Sequence, residues 1–193
     1  MPEQNSPSGI DSAPAPRSTD CHRLFFAILP DPDTAARIEQ LARQLRIEHA
    51  LTRKLLRTGH FHVTLYFIGT YSGFPSQVAE RALAAAATVG APAFDVVFDR
   101  AGSFRRKGGD RPFVLLGDES AGQKELHEAL GAALEAVGFA CHRTSRYTPH
   151  VTLLYDKHAV DERGIEPVRW AVREFVLMDS LVGQGRHVAL GRF

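Results

Sequence analysis

Cysteine is scarce in this 193-residue chain: Cys21 and Cys141 are its only two. They form neither a disulfide framework nor a C-x-x-C metal or redox pair, so reduced thiols in a cytoplasmic protein are predicted. No apolar run approaches the roughly 18 residues that a membrane span requires, and no membrane partner is expected. The start of the chain has no basic segment followed by an apolar one, so no secretory signal is expected. Its Pro, Ser and Asp content predicts a disordered leader over residues 1–20. Excess charge is missing too. At a formal +1, the chain exerts no overall pull on long nucleic acid, leaving a small ligand or a nucleic-acid end as the fitting partner. No G-x-x-x-x-G-K-[ST] loop occurs, and no lysine stands in the setting of an ATP-dependent ligase.

What is present is ordinary globular substance, 44% hydrophobic and 23% charged, enough for a real core. Short β-rich runs at residues 23–30, 61–69, 91–104, 111–118, 148–155, 168–182 and 186–193 read as strands. Three helices are predicted between them. In the first, over residues 31–50, Asp31 caps, Pro32 fits the first position, and Ile38, Leu41, Ala42 and Leu45 form the inner face. The second is the Ala-rich stretch 74–90, with Gly90 where a terminator belongs. The third, over residues 120–139, opens on Ser120 and Gln123 at capping-box spacing and carries the stripe Leu126, Leu130, Ala133, Leu134 and Val137. The segment through Pro167 reads as irregular, and a closing hairpin is placed around Gly183 and Gly185. The order β-α-β-α-β-β-α-β-β-β predicts an α+β protein with largely antiparallel sheets.

One tetrapeptide occurs twice. His-Val-Thr-Leu stands at residues 62–65 and again at 150–153, each time on a strand that follows a helix. A separation of this size implies two duplicated lobes rather than a short solenoid repeat. Residues two apart on a strand share a face, so His62 and Thr64 point one way and Val63 and Leu65 the other; His150, Thr152, Val151 and Leu153 repeat the arrangement. Lobes related by an approximate two-fold axis would confront two imidazoles and two hydroxyls across a groove. Imidazole titrates near neutrality, so one ring can act as base while its partner acts as acid. Threonine hydroxyls can hold an oxyanion without adding charge. This set meets the needs of in-line displacement at a phosphodiester and calls for no metal or other cofactor. An isolated His-x-Thr would be read as a packed strand pair; two copies at matching places are not.

With "RLFFAILP" as opening strand, "HVTLYFIG" and "RYTPHVTLLYD" as paired motifs, and "FVLMDSLVGQGRHVALGRF" as closing strands, residues 23–193 resemble the two-histidine (2H) phosphoesterases. Within them the nearest resemblance is to RNA 2′,3′-cyclic phosphodiesterases, also called 2′-5′ RNA ligases. The resemblance implies a single bilobal domain over residues 21–193, with two antiparallel sheets and flanking helices around a central cleft. It also implies hydrolysis of a 2′,3′-cyclic phosphate on RNA ends or small cyclic nucleotides to a 2′-phosphate, with reversible 2′-5′ ligation as an associated activity. His62 would be the acid for the 3′ oxygen and His150 the base for water, with Thr64 and Thr152 binding phosphate. Relatives often carry Arg two residues before the second His and a basic residue five after it, where this chain has Thr148 and Tyr155. Arg146 then becomes the candidate phosphate cation, on the face of His150 if Pro149 leaves the strand regular.

Further candidates for substrate contact are His60 at the cleft rim, Phe67 and Tyr155 as stacking surfaces, and Arg105 in the basic loop 103–111. That loop, like the cluster 53–57, reads equally as solvated surface, although Leu55 and Leu56 favour a packed approach to the first motif. Phe26 is assigned to the core. His60 and His62 form an H-x-H pair, but no carboxylate or cysteine at recognisable spacing completes a zinc site. His22, His49, His127, His142, His158 and His187 receive no role. A monomer is expected. The alternatives are a non-catalytic module binding RNA ends or nucleotides, and a 2H phosphoesterase acting on a non-RNA cyclic phosphate or a 2′-5′ oligonucleotide.

Overall fold

The computed structural model describes residues 20–90, 93–105, 108–140 and 147–193. The expectations for the leader, Cys141, His142 and Arg146 lie outside these residues. The first strand, β1 (Cys21–Ile28), leads into α1 (Pro32–Glu48). The Asp31 carboxylate caps α1 by accepting from Thr34 N at 2.9 Å and Thr34 Oγ1 at 2.6 Å, satisfying an otherwise orphaned donor. A short 3₁₀ turn (Thr58–His60) then delivers β2 (Val63–Ser72). α2 (Ser76–Ala86) stops well short of Gly90, which is not among the glycines of positive φ, so no left-handed terminator is used there. The chain continues through β3 (Phe94–Ser103), β4 (Arg111–Leu116) and α3 (Ala121–Ala136), whose Ser120 side chain accepts from Gln123 N at 3.3 Å. It finishes with β5 (His150–Asp156), β6 (Arg163–Val172), β7 (Val176–Val182) and β8 (Arg186–Arg192).

The structure has one more strand than the sequence pattern predicts. β6 begins inside the segment read as irregular and carries Pro167, which cannot donate to a ladder. It is tolerated because β6 is an edge strand and Pro167 falls where the β3–β6 register shifts, between the pairs Phe98–Val168 and Arg100–Gly164. The β7–β8 hairpin turns where predicted, with Gly183 and Gly185 at φ +84° and +61°.

All strand pairs are antiparallel, in the order β6-β3-β4-β5-β2-β1-β7-β8. Four strands of one half meet four of the other at the β5–β2 seam, and β2-β1 mirrors β5-β4 about it. The expectation of two separate sheets is corrected: the halves form one eight-stranded sheet. Its β2–β5 seam is a single bridge, Val63–Val151. Both valines are wholly buried, as are Leu153 and Ile38 and the α3 stripe Leu126, Leu130 and Leu134, in the main core on the helical side. Each such side chain contributes roughly 1.5–3 kcal/mol. Gly131 lets α3 approach β2 closely, since a Cβ there would lie 2.3 Å from the Tyr66 hydroxyl.

Candidate functional site

The seam sets the register of the motifs. Continuing the antiparallel pairing one residue either side of Val63–Val151 sets His62 against Thr152 and Thr64 against His150. The four polar side chains lie on one face, the valines on the other, and all four line one cleft of about 360 Å³.

The two imidazoles are held in the same way. His62 Nδ1 lies 2.7 Å from the His60 carbonyl and His150 Nδ1 lies 2.9 Å from the Thr148 carbonyl, in each case the residue two before it. A carbonyl can only accept, so both rings carry their proton on Nδ1 and keep Nε2 for chemistry. A phenylalanine backs each ring at 4.8 Å between centroids, Phe25 for His62 and Phe104 for His150.

The duplication runs beyond the tetrapeptide into an irregularity of the backbone. The β1–β2 register shifts between Phe26–Tyr66 and Ala27–Thr64, leaving Leu65 unpaired as a bulge. The β4–β5 register shifts between Phe113–Leu154 and Val114–Thr152, leaving Leu153 unpaired at the equivalent place. From the histidine onward both copies read half-buried, buried, half-buried, buried, buried, exposed. Two successive core residues follow each Thr-bearing position, and the fifth residue after each histidine is turned outward into the cleft. Those residues are Phe67 and Tyr155, 59% and 45% exposed. Regular alternation would have put both on the core face.

Tyr147 ties the halves behind the site. Its hydroxyl donates to the Thr64 carbonyl at 3.0 Å and accepts from Gln123 Nε2 at 3.1 Å. Burial pushes its phenol pKa above the ordinary value of 10, so the donor stays protonated. His127, left without a role above, is stacked between Tyr66 and Tyr147 at 4.4 Å from each. The 53–57 cluster makes the packed approach its leucines favoured: Leu55 bridges to Leu154, Leu56 N donates to the Leu153 carbonyl, and Leu56 lines the cleft.

Several lining residues carry no signal in the sequence. Arg23, Phe25, Ser180 and His187 reach the cleft only because β1, β7 and β8 lie side by side. His187 is stacked on His60 at 4.1 Å and lies edge-on to His62 at 5.7 Å. His60 lines the cleft, and its Nε2 donates to the Gly185 carbonyl at 3.1 Å. Arg105 does not join this group. It is exposed and lines a neighbouring cavity with Ser103 and Arg111. Among the described residues no cluster of His, Cys, Asp or Glu is arranged to hold a metal, so the H-x-H pair gains no partners.

Electrostatically the cleft is one-sided: four imidazoles and the Arg23 guanidinium line it, with no carboxylate among the described lining residues. Burial lowers the His62 pKa below the ordinary 6.5. The bond to the His60 carbonyl opposes this, and the charges of His150 and His60 add to it. His187 is pushed down to about 4 by burial first, then by His60 and His62. His60→Gln removes one of these repulsions, so the His62 titration should move to higher pH, as read by imidazole NMR; an unmoved or lowered midpoint would contradict the coupling.

The comparisons with known proteins agree with this geometry. Escherichia coli LigT in complex with 3′-AMP superposes with a TM-score of 0.65 at 29% identity, covering 90% of this chain and 97% of that one. A structure described as a phosphoesterase gives 0.66 at 26% identity, covering 89% and 97%. A protein from Thermus thermophilus shares the fold at 22% identity, with a TM-score of 0.69 and coverage of 89% and 96%. A search of curated proteins found no match. The model of the 2′-5′ RNA ligase superfamily matches residues 30–184, a span that holds both motifs and the seam between them, and the chain belongs to that superfamily of 2H phosphoesterases.

Proposed function

We propose that this protein hydrolyses 2′,3′-cyclic phosphates on RNA ends or small nucleotides to 2′-phosphates, using His62 and His150 as an acid and base pair and no metal. One observation carries the reading: two imidazoles, each fixed through Nδ1, present Nε2 to a single cleft beside two threonine hydroxyls, with no carboxylate among its described lining residues. His150 Nε2 takes a proton from water as the water oxygen bonds to phosphorus. The bond from phosphorus to the 3′ oxygen breaks, and that oxygen takes a proton from His62. Thr64 and Thr152 hold the non-bridging oxygens. The lowered pKa of His62 reflects burial first, with the charges of His150 and His60 adding to it. A phosphate anion between the rings reverses that balance and draws a proton onto His62 as it binds.

The twin outward-facing aromatics support 2′-5′ joining as a second reading. Phe67 and Tyr155 offer a stacking surface on each side of the phosphate position, which suits a base on both sides of the reacting bond. A 5′ hydroxyl would then replace water as nucleophile, and 2′-5′ joining would consume no nucleotide. The related LigT has been crystallised with 3′-AMP, NADP+ and ATP, so a homologous protein takes nucleotide ligands.

The test is a product-resolved panel of 2′,3′-cyclic nucleotides, a cyclic-phosphate-ended oligonucleotide and a 2′-5′ dinucleotide, with and without EDTA. Conversion to the 2′-phosphate, undiminished by the chelator, is expected. Binding without turnover would favour the non-catalytic module, and exclusive formation of 3′-phosphates would reject the assigned bond cleavage.

A further inference from the structure

Beside the motif residues, the first half of the sheet carries a row of polar groups that the reaction above leaves unused. Arg23 on β1 pairs in register with Ser180 on β7, and Ser180 with His187 on β8, so the three side chains stand abreast on neighbouring strands. All three line the cleft. Among the described residues none of them makes a side-chain hydrogen bond, and no carboxylate pairs with the exposed Arg23. A guanidinium, a hydroxyl and an imidazole in one row form a donor set with no acceptor among the described residues.

We propose that Arg23, Ser180 and His187 form a second phosphoryl subsite, which selects substrates carrying another phosphate one ribose away from the reacting one. The inference rests on the reading of the cleft given above and narrows its substrate class. The reacting phosphate is already enclosed at the seam by His62, Thr64, His150 and Thr152. Arg23 lies two residues along β1 from Phe25, whose ring backs His62, a step of about 7 Å. Ring contacts of 5.7 Å from His187 to both His62 and Phe25 make the row continuous with the seam. A ribose spans such a step when its 2′ and 3′ oxygens hold the cyclic phosphate and its 5′ oxygen holds a second phosphate. Arg23 supplies a planar fork suited to phosphate oxygens, and Ser180 adds a hydroxyl donor. His187, held down to about 4, is neutral at physiological pH and contributes an N–H donor rather than charge. The ligand class is therefore a nucleoside 5′-phosphate 2′,3′-cyclic phosphate, either free or as the last residue of an RNA chain, in preference to the 5′-hydroxyl nucleoside.

Calorimetry with adenosine 2′-monophosphate and adenosine 2′,5′-bisphosphate tests the subsite without requiring turnover. The wild-type protein should bind the bisphosphate on the order of tenfold more tightly, the size expected of charge-assisted hydrogen bonds. Arg23→Gln, at an exposed position, should close that gap, and Ser180→Ala should narrow it, with circular dichroism checking that both variants fold. Equal wild-type affinities overturn the proposal. So does an Arg23→Gln variant that loses affinity for both ligands alike, which would assign the guanidinium to the reacting phosphate. Rates on 5′-phosphorylated and 5′-hydroxyl adenosine 2′,3′-cyclic phosphate are measured in parallel. A bisphosphate preference without turnover of either substrate defeats the catalytic reading alone, whereas turnover without the preference defeats the subsite alone.

Discussion

His62→Ala and His150→Ala should each lower kcat for cyclic-phosphate hydrolysis by about 10²–10⁴-fold, the usual contribution of one positioned acid or base. The double variant should be little worse than either single one, because the two rings act on the same displacement and their losses do not add. Neither change should unfold the protein. Among the described residues each ring makes one hydrogen bond, to a carbonyl two residues earlier, and stands on the cleft face rather than in the main core. Losing such a bond costs about 1 kcal/mol. Thermal melts close to wild type, together with near-complete loss of rate in both variants, are the expected pair of observations. Full activity in either single variant would remove that histidine from the reaction.

The second large effect is on stability. Asp156 ends β5, is 3% exposed, and has both carboxylate oxygens engaged. Oδ2 accepts from Thr52 N at 2.8 Å, Arg53 N at 3.0 Å and Thr52 Oγ1 at 3.4 Å, and Oδ1 accepts from His158 N at 2.9 Å. These bonds fasten the approach to the first motif onto the strand bearing the second. Burial alone would raise the carboxyl pKa, but the backbone donors from His158, Arg53 and Thr52 outweigh it and hold it at about 2. Asp156→Asn replaces one acceptor with an amide that faces N–H groups. It should destabilise by about 2 kcal/mol and lower Tm by about 4–8 °C. The pH dependence follows from the direction of the shift. A depressed folded-state pKa gives stability that is fully present above the unfolded value of 3.8 and is lost as pH falls toward 2. The gap between wild type and variant, followed by denaturant titration, should therefore be constant above about pH 5 and shrink below pH 4. A gap that widened on acidification would contradict this assignment.

The repeated tetrapeptide made the centre of the cleft legible because strand alternation is a local rule. It places His62 with Thr64 and His150 with Thr152 whatever the rest of the chain does. α1 and α3 were legible for a similar reason, since Asp31 and Ser120 cap within three residues of themselves. The limits appear where register decides. Arg23, Ser180 and His187 are far apart in sequence and become neighbours only through the ladders β1–β7 and β7–β8. Phe67 and Tyr155 were named as stacking candidates from residue type alone. The bulges at Leu65 and Leu153 that turn them outward leave no mark in hydrophobic periodicity. The first half of β6 was hidden because Pro167 speaks against a strand, and its second half was read as one strand with β7 over residues 168–182; only an edge position makes Pro167 acceptable.

The lone bridge between Val63 and Val151 bears on how the protein handles molecules of different girth. A long ladder would lock the distance between opposing histidines, since altering it would break several backbone pairs at once. A single bridge leaves that distance to the few ties around it: the Leu55–Leu154 bridge, the Tyr147 hydroxyl on the Thr64 carbonyl and the Asp156 carboxylate on Thr52 and Arg53. Slight tilting of one four-stranded half against the other would load only those ties and leave the ladders within each half intact, so fitting the cleft to a five-coordinate phosphorus asks little of the backbone.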